Sequence, residues 1–313
     1  MRSLIRYPRT IALITVVIVV FSAAWLYWNR VSTSDLSIWA PAESLAFAEV
    51  DNLEDVVNGI PATDGWKALA PLFDAPHSLS PGRWLVRAAR WTGIGSSDAL
   101  LFARSQVAFV LQSAQATPNG STIVVKPLLT IIVETHTSQR RMRTSVEHHL
   151  EELAQANFGK IALVRKQMNG VDLEEWQSED GSRSIVAAFV NTTVVIGNDE
   201  TSVLRSIEAS NGIRPSLKNQ PEFAEVTRTI NSGSASLFGF VSGAGVRSFL
   251  QAYVLDAESR AGNSTDSLTR ARLFSDTFGG LVQYAGWTSR FASGAVEVVV
   301  RSSSDRLREY AVS

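Results

Sequence analysis

The sequence predicts an α+β fold. It reads as an antiparallel sheet meander with helices packed on one face, a second, smaller α+β lobe, and a single N-terminal transmembrane helix. Three observations carry that reading. Thr10 to Trp28 is an uncharged apolar run of 19 residues. Between Ile161 and Gly197, short apolar-alternating segments are separated by turns of two to five residues, and strands joined that tightly must be antiparallel. Ser138 to Asn157 repeats its apolar residues with the period of a helix. The resulting organisation is a cytoplasmic N-terminus (1–9), a transmembrane anchor (10–28), a juxtamembrane spacer (29–40), an extracytoplasmic α+β lobe (41–214), a second lobe (215–302) and a tail (303–313).

The anchor comes first. A helix of that length reaches about 28 Å, close to the hydrocarbon thickness of a bilayer. Arg2, Arg6 and Arg9 precede it and only Arg30 closely follows, so the positive-inside bias places the N-terminus in the cytoplasm and everything from about Val31 outside. Trp25, Tyr27 and Trp28 resemble an interfacial aromatic belt. The competing reading is a signal peptide cleaved at Ser22-Ala23-Ala24, but the apolar stretch continues past that site, which suits an anchor better. Nothing downstream is apolar for long enough to form a second span.

Leu45 to Val50 alternates as a strand, and Asp51 or Asn52 can cap a helix carrying Val56, Val57 and Ile60. Ser80 to Trp91 has a helical pattern with Trp84, Leu85, Ala88 and Trp91 on one side. Gln106–Gln112 and Leu128–Glu134 are strands on either side of a Thr117-Pro118-Asn119-Gly120-Ser121 turn, with Pro127 suiting a strand start or an edge. The Ser138 helix presents Met142, Val146, Leu150 and Leu153 as its core stripe and closes at Gly159.

Asn169-Gly170 joins Ile161–Met168 to Val171–Ser178. Glu179-Asp180-Gly181 then leads into Ser184–Val190, and Asn191-Thr192 into Thr193–Gly197. Asp199 caps a helix with Val203, Leu204 and Ile207 inward, ending near Asn211-Gly212. Arg214 to Pro221 reads as a connector. Ser236–Val241 is a strand, and Ser242 opens a helix bearing Val246, Phe249, Leu250 and Tyr253. Glu258–Thr269 reads as a polar, mobile loop, and Thr269–Phe278 as a helix. Leu281–Thr288 and Ala295–Arg301 form a final hairpin, with Val296, Val298 and Val300 on one face and Glu297 and Arg301 toward water.

Phe47-Ala48-Glu49-Val50-Asp51, Val195-Ile196-Gly197-Asn198-Asp199 and Phe238-Gly239-Phe240-Val241-Ser242 each end a strand on a capping residue. This pattern fits either a duplication or the ordinary look of strand-to-helix junctions, and the unequal periods favour the second.

Composition narrows the function. The net charge of −1 hides four arginines in the first 30 residues, where no acid occurs; the remainder has 25 basic against 30 acidic residues. That mildly acidic balance argues against a nucleic-acid partner. With no cysteine, disulfides, thiolate metal sites and cysteine nucleophiles are excluded.

Of the four histidines, adjacent His148 and His149 diverge by about 100° on a helix and cannot share a metal. His148 could join Glu151 or Glu152, but two ligands fall short of a zinc site. His136 follows a strand end near Glu134, with no G-x-S-x-G serine to serve. Gly93-Ile94-Gly95-Ser96-Ser97 lacks the third glycine and the leading strand of a dinucleotide fingerprint, and no phosphate-binding loop motif occurs. Glu174-Glu175 and Glu179-Asp180 read as the solubilising acids of surface hairpins. Trp66, Trp84, Trp91, Trp176 and Trp287 read as core, and Trp39 as near the membrane interface. No catalytic, cofactor-binding or metal residue is assigned.

The anchor, the opening Ala40-Pro41-Ala42-Glu43-Ser44-Leu45-Ala46-Phe47-Ala48-Glu49-Val50-Asp51 and the segment from Gly170-Val171 through Asn198-Asp199-Glu200 resemble a family of bacterial, N-terminally membrane-anchored proteins known as a domain of unknown function. The likeness spans about residues 38 to 300. It implies an exported, anchored α+β protein and carries no site residues across. The expected function is a non-catalytic, membrane-tethered domain that binds another cell-envelope component, protein or lipid. The alternatives are a binder of lipids or hydrophobic ligands, motivated by the dispersed tryptophans, and a carboxylate-dependent hydrolase of envelope polymers.

Overall fold

The computed structural model describes residues 33–51, 56, 59, 105–119, 122–230, 236–260, 267–279, 281–292 and 295–303. The apolar run 10–28, the expected helix at 80–91 and the Gly93–Ser97 segment lie outside them. Among the described residues no helix is long and apolar enough to cross a membrane.

Ten strands join in one sheet: β1 (Ala46–Val50), β2 (Gln106–Asn119), β3 (Thr122–Glu134), β4 (Ile161–Met168), β5 (Val171–Ser178), β6 (Ser184–Val190), β7 (Thr193–Gly197), β8 (Leu237–Ser242), β9 (Tyr284–Ala292) and β10 (Ala295–Ser303). Their order is β10-β9-β8-β1-β2-β3-β7-β6-β5-β4, and every neighbouring pair is antiparallel. The described helices are α1 (Gln139–Phe158), α2 (Glu200–Ser210), α3 (Pro221–Thr229), α4 (Gly243–Arg260) and α5 (Ser267–Gly279). The chain is therefore α+β with a large antiparallel sheet.

Two finer expectations change. The strands after residue 214 hydrogen-bond into this same sheet through β8 and β1, so residues 215–302 do not build a lobe with a sheet of their own. Helices also cover both faces, not one. Successive strand residues point to opposite sides: Ile132, Leu173, Ala188 and Val195 pack with α2, α3 and the 3-10 turn Leu36–Trp39, while Val133, Trp176, Phe189 and Val194 pack with α1. Trp39, expected near a membrane interface, is buried in the first of these cores. That core holds an edge-on aromatic cluster in which Phe223 of α3 meets Phe47, Phe238 and Phe240 at 5.7, 5.5 and 5.3 Å between ring centres.

Local chemistry sets the turns. Asn169 and Gly170 both take positive φ, 52° and 77°, the pair of left-handed residues that a two-residue hairpin of the right twist demands. The β2–β3 hairpin is longer than the sequence suggests: Pro118 and Asn119 stay in strand, with Asn119 opposite Thr122. Pro127 lies within β3, in the half that β7 does not reach, where a missing N–H costs no ladder bond. The β2–β3 register slips between Leu111 and Ser113, and the intervening Gln112 is buried. Its amide donates to Thr130 Oγ1 (2.9 Å), Ser202 O (2.7 Å) and Ser206 Oγ (3.0 Å), tying the sheet to α2.

The α1 stripe also shifts. Met142, Val146, Leu150 and Ala154 are buried and Leu153 is half exposed, because α1 meets the sheet along its i, i+4 ridge, which drifts round the helix. The expected connector Arg214–Pro221 contains the 3-10 turn Leu217–Asn219 and ends where α3 begins; α3 has no counterpart in the sequence reading, and Pro221 in its first turn, Phe223 and Val226 are its signals. α4 runs to Arg260 and α5 starts at Ser267, so helix takes both ends of the loop expected at 258–269, whose middle, 261–266, lies outside the described residues. On β10, Val298 and Val300 are 53% and 66% exposed, so the expected valine face is not a core face.

The six strands β10-β9-β8-β1-β2-β3 read alike from either end. β1 and β8 pair about Ala48↔Gly239, each is flanked by an antiparallel strand (β2 or β9), and each of those by a hairpin partner (β3 or β10). Under this two-fold relation Phe47 falls on Phe238 and Val50 on Val241. Phe109, opposite Ala48, falls on Trp287, opposite Gly239; Thr130 falls on Val299. The Phe47–Asp51 and Phe238–Ser242 segments thus occupy equivalent places in the strand order, whereas Val195–Asp199 has no part in the relation.

Candidate functional site

α1 positions the site. Gln139 Nε2 donates to Phe189 O at 3.1 Å, and Arg143 turns inward over the Phe189 ring, 5.2 Å from its centre. Arg143 Nη2 donates to Glu174 Oε1 at 2.5 Å and its Nε to Glu147 Oε1 at 2.5 Å. Arg165 Nε reaches the same Glu174 oxygen at 3.2 Å. Burial pushes the Glu174 carboxyl up, but the hydrogen bonds from its arginines outweigh it and hold the group below the ordinary carboxylate range. Burial raises Glu147, which shares Arg143 with Glu174.

With Arg143 fixed inward, the opposite flank of α1 borders a groove of about 480 Å³. Its described lining is Ser138, Arg140, Arg141, Thr144, Ser145 and His148. Arg140 and Arg141 are exposed, and neither forms an ion pair among the described residues. Both sit in the first turn of the helix, which holds no acidic residue. A helix N-terminus already carries partial positive charge and normally recruits acids, so two arginines there concentrate positive potential. Thr144 Oγ1 is satisfied by donating to Arg140 O at 3.0 Å. Ser145 is 7% exposed and its hydroxyl has no hydrogen-bond partner, an unpaired buried group that costs roughly 1–3 kcal/mol if nothing meets it. Two forked donors, a free hydroxyl and the helix end together suit a phosphate or a carboxylate.

The residues singled out in the sequence are distributed differently. His148 Nε2 and His149 Nδ1 both approach Glu152, at 3.4 and 3.5 Å, and among the described residues no group of three metal-ligating side chains assembles. His136 N donates to Glu134 Oε1 at 2.9 Å, Thr193 Oγ1 donates to Oε2 at 2.6 Å, and His136 Nδ1 stands 3.7 Å from Oε1. This set closes the β3 end.

Glu174 and Glu175 are not surface acids: they are 1% and 7% exposed, on opposite sheet faces. Lys166 joins Glu175 (2.7 Å) to Glu200 (2.5 Å) and is pushed up to about 12 by them. Burial raises Glu175, and its hydrogen bonds, led by Lys166, bring it below the ordinary value. Asp180 accepts from Ser178 Oγ at 2.6 Å and Ser182 N at 3.1 Å, which lowers it to about 2. At the end of β1, burial and the nearby Asp51 charge raise Glu49 to about 8, and burial raises Asp51 against a 3.3 Å hydrogen bond from Gln106.

Sequence reasoning passed over Arg140, Arg141 and Ser145. The available signal was a helix start of Ser138-Gln139-Arg140-Arg141 with no acid, the reverse of the usual charge bias. Comparison of the chain with protein-family models, with curated proteins and with solved structures finds no match.

Proposed function

We propose that this chain is a membrane-tethered, non-catalytic extracytoplasmic domain that binds another envelope component, and that the bound component presents a phosphate or carboxylate to the α1 groove. One observation carries the ligand class: Ser145, whose buried hydroxyl has no partner among the described residues, lines the same groove as Arg140 and Arg141, which form no ion pair among those residues. The tether rests on Thr10–Trp28 and the arginines before it.

The test uses the full chain in neutral detergent, titrated calorimetrically with glycerol phosphate. Saturable binding that weakens with added salt and falls at least tenfold in the Arg140→Ala, Arg141→Ala double variant supports the reading. Absent binding, or binding that the double variant leaves unchanged, overturns it. For the tether, cell fractionation should leave the chain in the membrane pellet after a high-salt wash; release into the soluble fraction would refute it.

A further inference from the structure

The two edges of the sheet are built differently. β4 carries Arg165 and Lys166, both engaged by acids of the neighbouring elements, and charge is a common protection for an edge strand. β10 instead presents three consecutive valines, Val298, Val299 and Val300, that are 53%, 44% and 66% exposed. No strand pairs with its outer side among the described residues. The two-fold relation adds a second observation. β10 stands where β3 stands in the other half, and β3 is paired antiparallel on its outer side by β7.

We propose that β10 pairs antiparallel with β10 of a second copy of this chain, about a two-fold axis at Val299. The strand is self-complementary in that register. Val299 meets its own copy and Val298 meets Val300. Position 297 meets position 301, a glutamate opposite an arginine in both halves of the pair. Opposite charges and β-branched pairs are the favourable cross-strand combinations, and a surface that matches itself residue for residue is what a two-fold interface requires. Nine opposed residues supply about eight to ten main-chain hydrogen bonds. A one-residue slip would place Val299 against Val298 or Val300 and remove the charge match, so the register is specified.

The chain has no cysteine, which makes the test clean. Full chain carrying Val299→Cys, kept in the membranes of the expressing cells, is oxidised and run on a non-reducing gel, with Glu151→Cys on exposed α1 as the collision control. The expected result is a disulfide dimer for Val299→Cys at least tenfold above the control. Val298→Cys and Val300→Cys should each cross-link poorly alone and well when co-expressed, since cross-strand partners alone come within disulfide reach. Unchanged thermal midpoints confirm that the variants fold. Dimer yield at the control level overturns the proposal, as does a monomer whose β10 amides are protected from exchange, which would put another strand of the same chain on this edge. Equal cross-linking at all three valines overturns the register.

Discussion

Arg143 of α1 and Glu174 of β5 meet with Nη2 2.5 Å from Oε1, on a carboxylate side chain that is 1% exposed. This ion pair locks the rotation of α1 against the sheet and thereby decides which of its residues face the groove. Because the arginine is about one-third exposed, the pair is worth less than a fully desolvated one.

Arg143→Ala should destabilise the fold by about 2 kcal/mol, since Glu174 keeps Arg165 but loses its closest partner. Glu174→Gln should cost less, about 1 kcal/mol, because it leaves no buried charge behind. Urea unfolding at pH 7 measures both. The Glu174 carboxyl is held below its ordinary value, so its stabilisation is present above that value and is lost as pH falls through the lowered one.

Glu49 has the opposite sign. Its carboxyl is raised from 4.5 to about 8, so the folded chain holds this proton more tightly than the unfolded chain does. Its contribution is full below pH 4.5 and disappears as pH rises to 8, a loss on the order of 3–5 kcal/mol. Glu49→Gln should flatten the stability profile across that window and raise the thermal midpoint at pH 8. An unchanged slope would count against the assignment.

Ser145→Ala separates folding from binding. Removing a buried hydroxyl that has no partner should leave stability unchanged or raise it by about 1 kcal/mol. The same change should weaken glycerol phosphate binding by roughly fivefold, about the worth of one hydrogen bond. Differential scanning calorimetry and titration of one preparation give both readings.

Gly239 lies beneath the Trp287 indole, and a Cβ there would overlap the ring. Gly239→Ala should therefore cost about 2–3 kcal/mol through overpacking. Adding Trp287→Ala should recover part of that loss, a coupling that a double-mutant cycle in urea would expose.

What was legible in the sequence was local. Asn169-Gly170 announces its hairpin because few residues accept two positive φ values in succession, and Asp199 announces α2 because its side chain accepts from Thr201 N two residues on, at 2.8 Å. What depended on docking was hidden. Glu174 and Glu175 look like a soluble turn until α1 and α2 bring Arg143 and Glu200 to opposite sides of one strand. Leu153 fits its stripe on a wheel, yet the drift of the helix–sheet contact substitutes Ala154. The groove was hidden for the same reason: Arg140, Arg141 and Arg143 are equivalent as letters, and only the buried Glu174 separates the inward one from the other two.

The seam at the middle of the sheet sets the order of assembly. β1 emerges early, but its second neighbour is β8, and the Ser242 hydroxyl that caps this junction reaches Leu45 O across 197 residues of chain. Local hairpins such as β4–β5 can close while synthesis proceeds, whereas one side of β1 stays open until the chain beyond residue 237 arrives. Such distant pairing is slow and leaves a sticky edge meanwhile. A nascent chain halted before β8 is therefore the form of this protein most in need of a chaperone.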